Sequence, residues 1–414
     1  MNRRFFLSNG ALSLVGTAML PNFLVRAAMA GASNATSKGN RLVVVFQRGA
    51  VDGLNVVVPF REKNYYAMRP TLGIGAEKVL DLDGSFGLHP ALAPFHELYA
   101  QGHLAVIHAA GSPNASRSHF DAQDYMENGT PGNSLQPDGW LNRALQVEGA
   151  LTPTQESPFR AVAVGNQLPK TLVGAVPALA IEDLNSFSVG GPGAKASSAS
   201  NAFENIYAAS GDQILRKAGD ETFDAIQRMR ETNPGNYTPA NGVEYPKSAF
   251  GHNMMQAAQL IKSNLGVETV FTDVQGWDTH FNQGGETGQL ASRLTDFGAS
   301  IAAFWRDLGD EAANVTLVTM SEFGRTARQN GTGGTDHGHG NVMFVLGGQV
   351  KGGRVYGKWP GLEHEQLYQQ RDLAVTTDYR AVLGELLTKT MRSTDLEKVF
   401  PGAGLNRNQF LNLV

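Results

Sequence analysis

The stretch Arg41–Asn55, "RLVVVFQRGAVDGLN", decides how the chain is read. Its first six residues form a continuous apolar run rich in β-branched valine, the pattern of a strand buried on both faces. Such strands belong to parallel sheets covered by helices, and the polar, glycine-containing segment that follows marks the strand's carboxyl end.

Four further runs share this character: "HLAVIHAA" at 103–110, "VETVFTDV" at 267–274, "VTLVTM" at 315–320 and "VMFVLG" at 342–347. Helical patterns lie between them at 90–102, 248–266 and 288–310. Strands alternating with helices predict an α/β fold with a mostly parallel sheet covered on both faces. Residues 130–245 break the pattern. They are rich in Pro, Gly, Ser and Asn up to position 200, with one or two amphipathic helices expected at 201–233, and read as a lid-like insertion in the α/β domain that spans 41–414.

The amino-terminal residues stand apart. Residues 1–30 combine paired Arg3 and Arg4, a weakly apolar middle, Arg26 and an Ala28-Met29-Ala30 ending, the layout of a cleavable export signal, and "NRRFFL" is similar to the twin-arginine pattern. A polar linker, 31–40, follows. The expected partner is the twin-arginine translocase, and the expected location is periplasmic or secreted. No other run reaches the roughly 18 apolar residues of a membrane span. Removing the signal takes away three arginines and no acids, so the formal charge moves from −4 to −7, which argues against a nucleic-acid partner. With no cysteine, disulfides, thiolate metal sites and thiol nucleophiles are all excluded.

In an open α/β sheet the loops at the carboxyl ends of the strands converge on one crevice. The predicted strand ends carry Asp52; Ser116, Arg117, Ser118, His119 and Asp121; Asp278 and His280; and Glu322 and Arg325 followed by Asp336, His337 and His339. Each has an ordinary alternative. Asp52 before Gly53 suits a turn, Ser118 with Asp121 suits a helix cap, and "WDTH" suits a polar turn. "GGTDHGHGN", Gly333–Asn341, resists such a reading: an Asp and two His among glycines have no packing task, and imidazole with carboxylate suits divalent ions.

The motifs "VVVFQRGAVDGLN", "RSHFDAQDYMENG", "GWDTHFNQ", "VTMSEFGRT", "GTDHGHGN" and "LGGQVKGGRVYG" together resemble the DUF1501 family of exported bacterial proteins. That family is remotely similar to the alkaline phosphatase and sulfatase superfamily. The resemblance implies an alkaline phosphatase-like fold and a metal-dependent hydrolase or transferase for phosphate- or sulfate-type esters, small or polymeric. It implies two divalent ions, zinc first, with magnesium, manganese or calcium as alternatives. One would be held by Asp52, Asp336 and His337 and the other by Asp278, His280 and His339, with His364 as the alternative last ligand. Ser118 would be the nucleophile, with Ser116 or an activated water as alternatives, and Arg117 or Arg325 would neutralise the oxyanion. The absence of Cys removes the usual sulfatase formylglycine precursor. A second reading is a non-catalytic exported metal-binding protein that binds a surface partner or polysaccharide on the same scaffold.

Overall fold

The computed structural model describes residues 39–151, 157, 159–185, 229, 236–263 and 265–414. The export signal, nearly all of the linker and the helices expected at 201–233 lie outside the described residues, apart from Met229.

Strand β1, Arg41–Arg48, is the hub of the sheet. Leu42, Val44 and Phe46 enter one core while Val43 and Val45 enter another on the opposite face, and none of the five is exposed to solvent. This period-two split accounts for the continuous apolar run: both faces are covered, so alternation with polar residues would bury polar groups. β1 pairs in parallel with β5, Thr269–Gln275, and with β6, Val315–Met320.

Outward from that centre, β5 is followed by β3, Ala161–Val164, and β4, Leu179–Ile181, both parallel. On the other side β6 is followed by β7, Asn341–Gly347, then β2, Leu104–Gly111, with the short strands β8, Arg354–Tyr356, and β9, Thr377–Asp378, completing the nine strands of this sheet. One strand is reversed. β7 runs antiparallel to both β6 and β2, so the 20-residue connection between β6 and β7 begins and ends at the same edge of the sheet.

Helices α1, Ala93–Ala100, α4, Ala249–Lys262, and α5, Gln289–Leu308, pack on one face, with Phe95, Met254, Phe297 and Ile301 in that core. Helices α2, His119–Asn128, α3, Trp140–Leu151, and α6, Tyr379–Thr390, contribute Met126, Trp140, Leu145, Val382 and Leu386 to the other. The architecture is therefore three-layered, as expected.

The span 130–245, expected as an insertion, contributes elements to the sheet itself. α3, β3 and β4 belong to the central sheet and its helical cover. The two strands are only four and three residues long, too short to stand out among the surrounding turn residues. Residues 186–228 lie outside the described residues. Among the described residues no helix is long and apolar enough to cross a membrane.

Candidate metal centre

Four loops leave the sheet at one edge, and backbone conformation brings them into contact. Gly49 ends β1 with a φ of +112°, and a Cβ there would stand 2.8 Å from the backbone nitrogen of Asp278. Gly334 is equally constrained, since its Cβ would lie 2.3 Å from the carbonyl carbon of His280. Glycine removes those clashes, so the loops after β1, β5 and β6 lie directly on one another.

Three imidazoles and a carboxylate meet where the loops touch. His337 Nε2 lies 3.0 Å from His119 Nε2 and 2.9 Å from His280 Nε2. Asp278 Oδ1 lies 3.0 Å from His280 Nε2, 3.3 Å from His337 Nε2 and 3.5 Å from His119 Nε2. His119, Asp278 and His337 each offer one ligand atom within 4.8 Å of the others, the one such group of acids and histidines among the described residues.

The other ring nitrogens explain how this arrangement could hold a cation. His119 Nδ1 is 2.8 Å from Glu322 Oε1, His280 Nδ1 is 3.1 Å from Asp336 Oδ1, and His337 Nδ1 is 2.8 Å from the Arg117 carbonyl. All three partners are acceptors, so each Nδ1 carries the proton in a neutral ring. Each Nε2 then presents a lone pair, and three lone pairs point at one another beside a carboxylate oxygen. A positive charge relieves that repulsion. Histidine ligands whose second nitrogen donates to a carboxylate or carbonyl are the usual outer framework of a metal site.

Electrostatics agree with this arrangement. Burial pushes the Asp278 carboxyl up, but the Arg325 guanidinium at 2.6 Å, helped by His280 and His119, holds it below the usual carboxylate range. Glu322 is buried, which opposes its charge, yet hydrogen bonds from His119, Gln123 and the Gly49 backbone keep it ionised. The Glu322 hydrogen bond in turn raises His119 above the ordinary histidine value, overcoming burial. Burial lowers His337. The rings of His119 and His337 rest on Phe323, at 5.0 and 5.1 Å between centroids, and Asp278, His280 and Asp336 lie on the open side with side chains 44, 38 and 51% exposed.

The structure brings together Asp278, His280 and His337, with Asp336 one shell out. It does not bring Asp52 and His339 to the cluster. Asp52 is fully buried and both its oxygens face Arg69, at 2.6 and 2.9 Å. It also accepts from Gln283, whose Oε1 takes the Thr279 and Thr335 hydroxyls beside His280 and Asp336, so Asp52 props the ligand loops from beneath. His339 is buried against Tyr368, with ring centroids 4.5 Å apart, and burial lowers its pKa. His364 is exposed in a neighbouring cleft.

Neither arginine points into open space. Arg117 donates to the buried Asp372 and to Gln369, and only its carbonyl serves the centre. Arg325 spends its donors on the carbonyls of Gly49, Ala50, Trp277 and Thr335 and on Asp278. Ser118 is the exposed N-cap of α2, its Oγ accepting from the Asp121 backbone nitrogen at 3.4 Å, and Ser116 Oγ accepts from Ser118 N.

Two residues of this centre, His119 and Glu322, were visible at strand ends in the sequence but outside the expected ligand set. His119 is the first residue of α2, where the helix has just begun and the side chain is free to reach across the crevice. The signal was present: the Asp-x-His and Asp-His pairs leave a donor set short of imidazole, and His119 is the strand-end histidine left over.

The model of a protein family described as "Protein of unknown function (DUF1501)" matches residues 39–401. The chain belongs to the DUF1501 family. Among solved structures it is similar to the PsFucS1 sulfatase from Pseudoalteromonas sp., at 11% identity and a TM-score of 0.38, over 90% of this chain and 72% of that one. No curated protein sequence matches it.

Proposed function

We propose that this DUF1501 protein is an exported metal-dependent hydrolase of phosphate- or sulfate-type esters, built around one divalent ion held by His119, Asp278, His280 and His337. The observation that carries the reading is the convergence of three Nε2 lone pairs on one carboxylate oxygen, each ring fixed from behind by an acceptor. Three imidazoles to one carboxylate favour zinc over magnesium and calcium. The bound ion supplies Lewis acidity toward an ester oxygen and the attacking water.

The chain's own residues do the rest. Glu322, Asp336 and the Arg117 carbonyl fix the tautomer and tilt of the three rings. Arg325 shares the Asp278 oxygen and would hold that carboxylate in place beside the three rings when the ion binds. Phe323 keeps the opposite side dry. One centre replaces the two implied by the family resemblance, because Asp52 is neutralised by Arg69 and His339 is packed away. Water is the nucleophile in this reading, and the Ser118 hydroxyl serves as the helix cap, accepting from the Asp121 backbone nitrogen.

Metal analysis of protein purified from the export compartment, followed by a panel of phosphate, phosphonate and sulfate esters, tests the reading. One ion per chain with turnover of an ester is expected. A metal-loaded protein that turns over none of them would leave the binding-protein reading in its place.

A further inference from the structure

Beside the centre lies a cleft of about 450 Å³, within the range of small-molecule sites. It begins at Asp336, the residue behind His280, and runs between the short helix Lys63–Met68, which carries Asn64, and the segment 362–371. Two observations identify what it suits. Its charges cancel, with Arg328 and Arg371 set against Asp336 and Glu363, so it has no net attraction for an anion. Its polar heads are also available: the side chains of Asn64, Arg328, His364 and Gln370 make no hydrogen bond within the described residues, while Met68, Leu362 and Leu367 supply apolar wall.

Amides offer a donor and an acceptor side by side, and guanidinium offers paired donors. Neutral hydroxyls, which both donate and accept, match that mixture, whereas a phosphate or sulfate would find the two acids against it. The apolar wall fits the C–H face of a ring. We infer that this cleft binds a polyhydroxylated ring, a sugar residue, and so selects esters whose alcohol is a saccharide. The inference rests on the hydrolase reading for its catalytic meaning: Asp336 is shared by cleft and centre, so a sugar seated here presents its acid ester to the ion.

The test separates binding from chemistry. Saturation-transfer NMR on the metal-loaded protein uses neutral di- and trisaccharides of glucose, galactose, mannose, fucose and xylose, with wild type compared to the pair Arg328→Ala and Gln370→Ala. Binding of at least one sugar is expected, weakened tenfold or more in the variant, with metal content, melting temperature and turnover of a 4-nitrophenyl ester unchanged. A wild type that binds none of the sugars overturns the assignment, as does a variant that binds them equally well. Sugar binding without turnover of any ester supports the cleft assignment and removes the hydrolase reading instead.

Discussion

Two constellations sit at the carboxyl edge of the sheet, and both have residue types that could hold a metal. Around Asp52 the acid is matched: Arg69 meets both oxygens, Gln283 adds a third hydrogen bond, and nothing in the buried group wants a further charge. Around His337 the polar atoms are mismatched, acceptor against acceptor, with every available proton already directed outward to Glu322, Asp336 or the Arg117 carbonyl. The difference shows that a ligand set is recognised less by its residue types than by whether its members satisfy one another. A self-satisfied cluster is scaffold, whereas a mismatched one has the donors to hold a cation.

The sharpest way to break this comparison is to remove a member of each. His337→Ala takes away the donor that touches all the others, so bound metal should vanish and any ester turnover should fall by roughly 10³-fold or more. Elemental analysis and single-substrate kinetics check both. Full metal retention in that variant would place the ion elsewhere.

Asp52→Asn should act in the opposite sense. It leaves the Arg69 guanidinium buried against a neutral amide, and breaking a buried pair from one side costs about 3–5 kcal/mol. Denaturant unfolding should register that loss, while the fraction that remains folded keeps one ion per chain. Loss of metal at unchanged stability would return Asp52 to the ligand set.

The histidines permit a third contrast. His108 is buried with both nitrogens satisfied, Nε2 by the Val57 carbonyl and Nδ1 by the Ala109 backbone N–H, and burial pushes its pKa down to about 4. The folded state thus binds the proton less readily than the unfolded chain, whose histidine titrates near 6.5. Its contribution is complete above pH 6.5 and is lost as the pH falls toward 4, roughly 3 kcal/mol over that window. Unfolding of metal-free protein at pH 7, 5 and 4 should show this decline in wild type and a shallower one in His108→Gln. Equal slopes would mean that His108 ionises without cost in the fold.

These contrasts also mark where the sequence was legible. β1, β2, β5, β6 and β7 were readable because a strand covered on both faces must be apolar throughout, and their carboxyl ends gave the site's location. The reversal of β7 left no local trace, since a buried strand has the same composition in either direction. Asp52 and Asp278 are alike in sequence, each an acid in a loop after a strand and each paired with an arginine; what distinguishes them is that Arg69 holds both oxygens of the buried Asp52, whereas Arg325 takes one oxygen of the half-exposed Asp278 and leaves it beside three imidazoles, a difference that no motif announces. His119 was hidden by its neighbour, because the Ser118 and Asp121 pattern drew the reading toward a cap. The cap exists, and its purpose is to start the helix at the residue that enters the centre.

That last point gives the smallest effect and the finest test. If Ser118 serves only to begin α2, then Ser118→Asn, another good N-cap residue, should change stability by no more than a few tenths of a kcal/mol, within the spread among favourable caps. Because the helix start is preserved, His119 keeps its place against Glu322, and metal content and turnover should remain near wild type. Ser118→Ala removes the acceptor for the Asp121 backbone nitrogen and should cost about 1 kcal/mol, with a modest loss of metal affinity as the first turn frays. A nucleophilic serine predicts another order altogether: Asn and Ala would be equally inactive, both fully metal-loaded. Kinetics and elemental analysis on the two variants therefore decide whether the chain attacks with its own hydroxyl or positions a water, and a collapse of turnover in a metal-loaded Ser118→Asn would overturn water as the nucleophile.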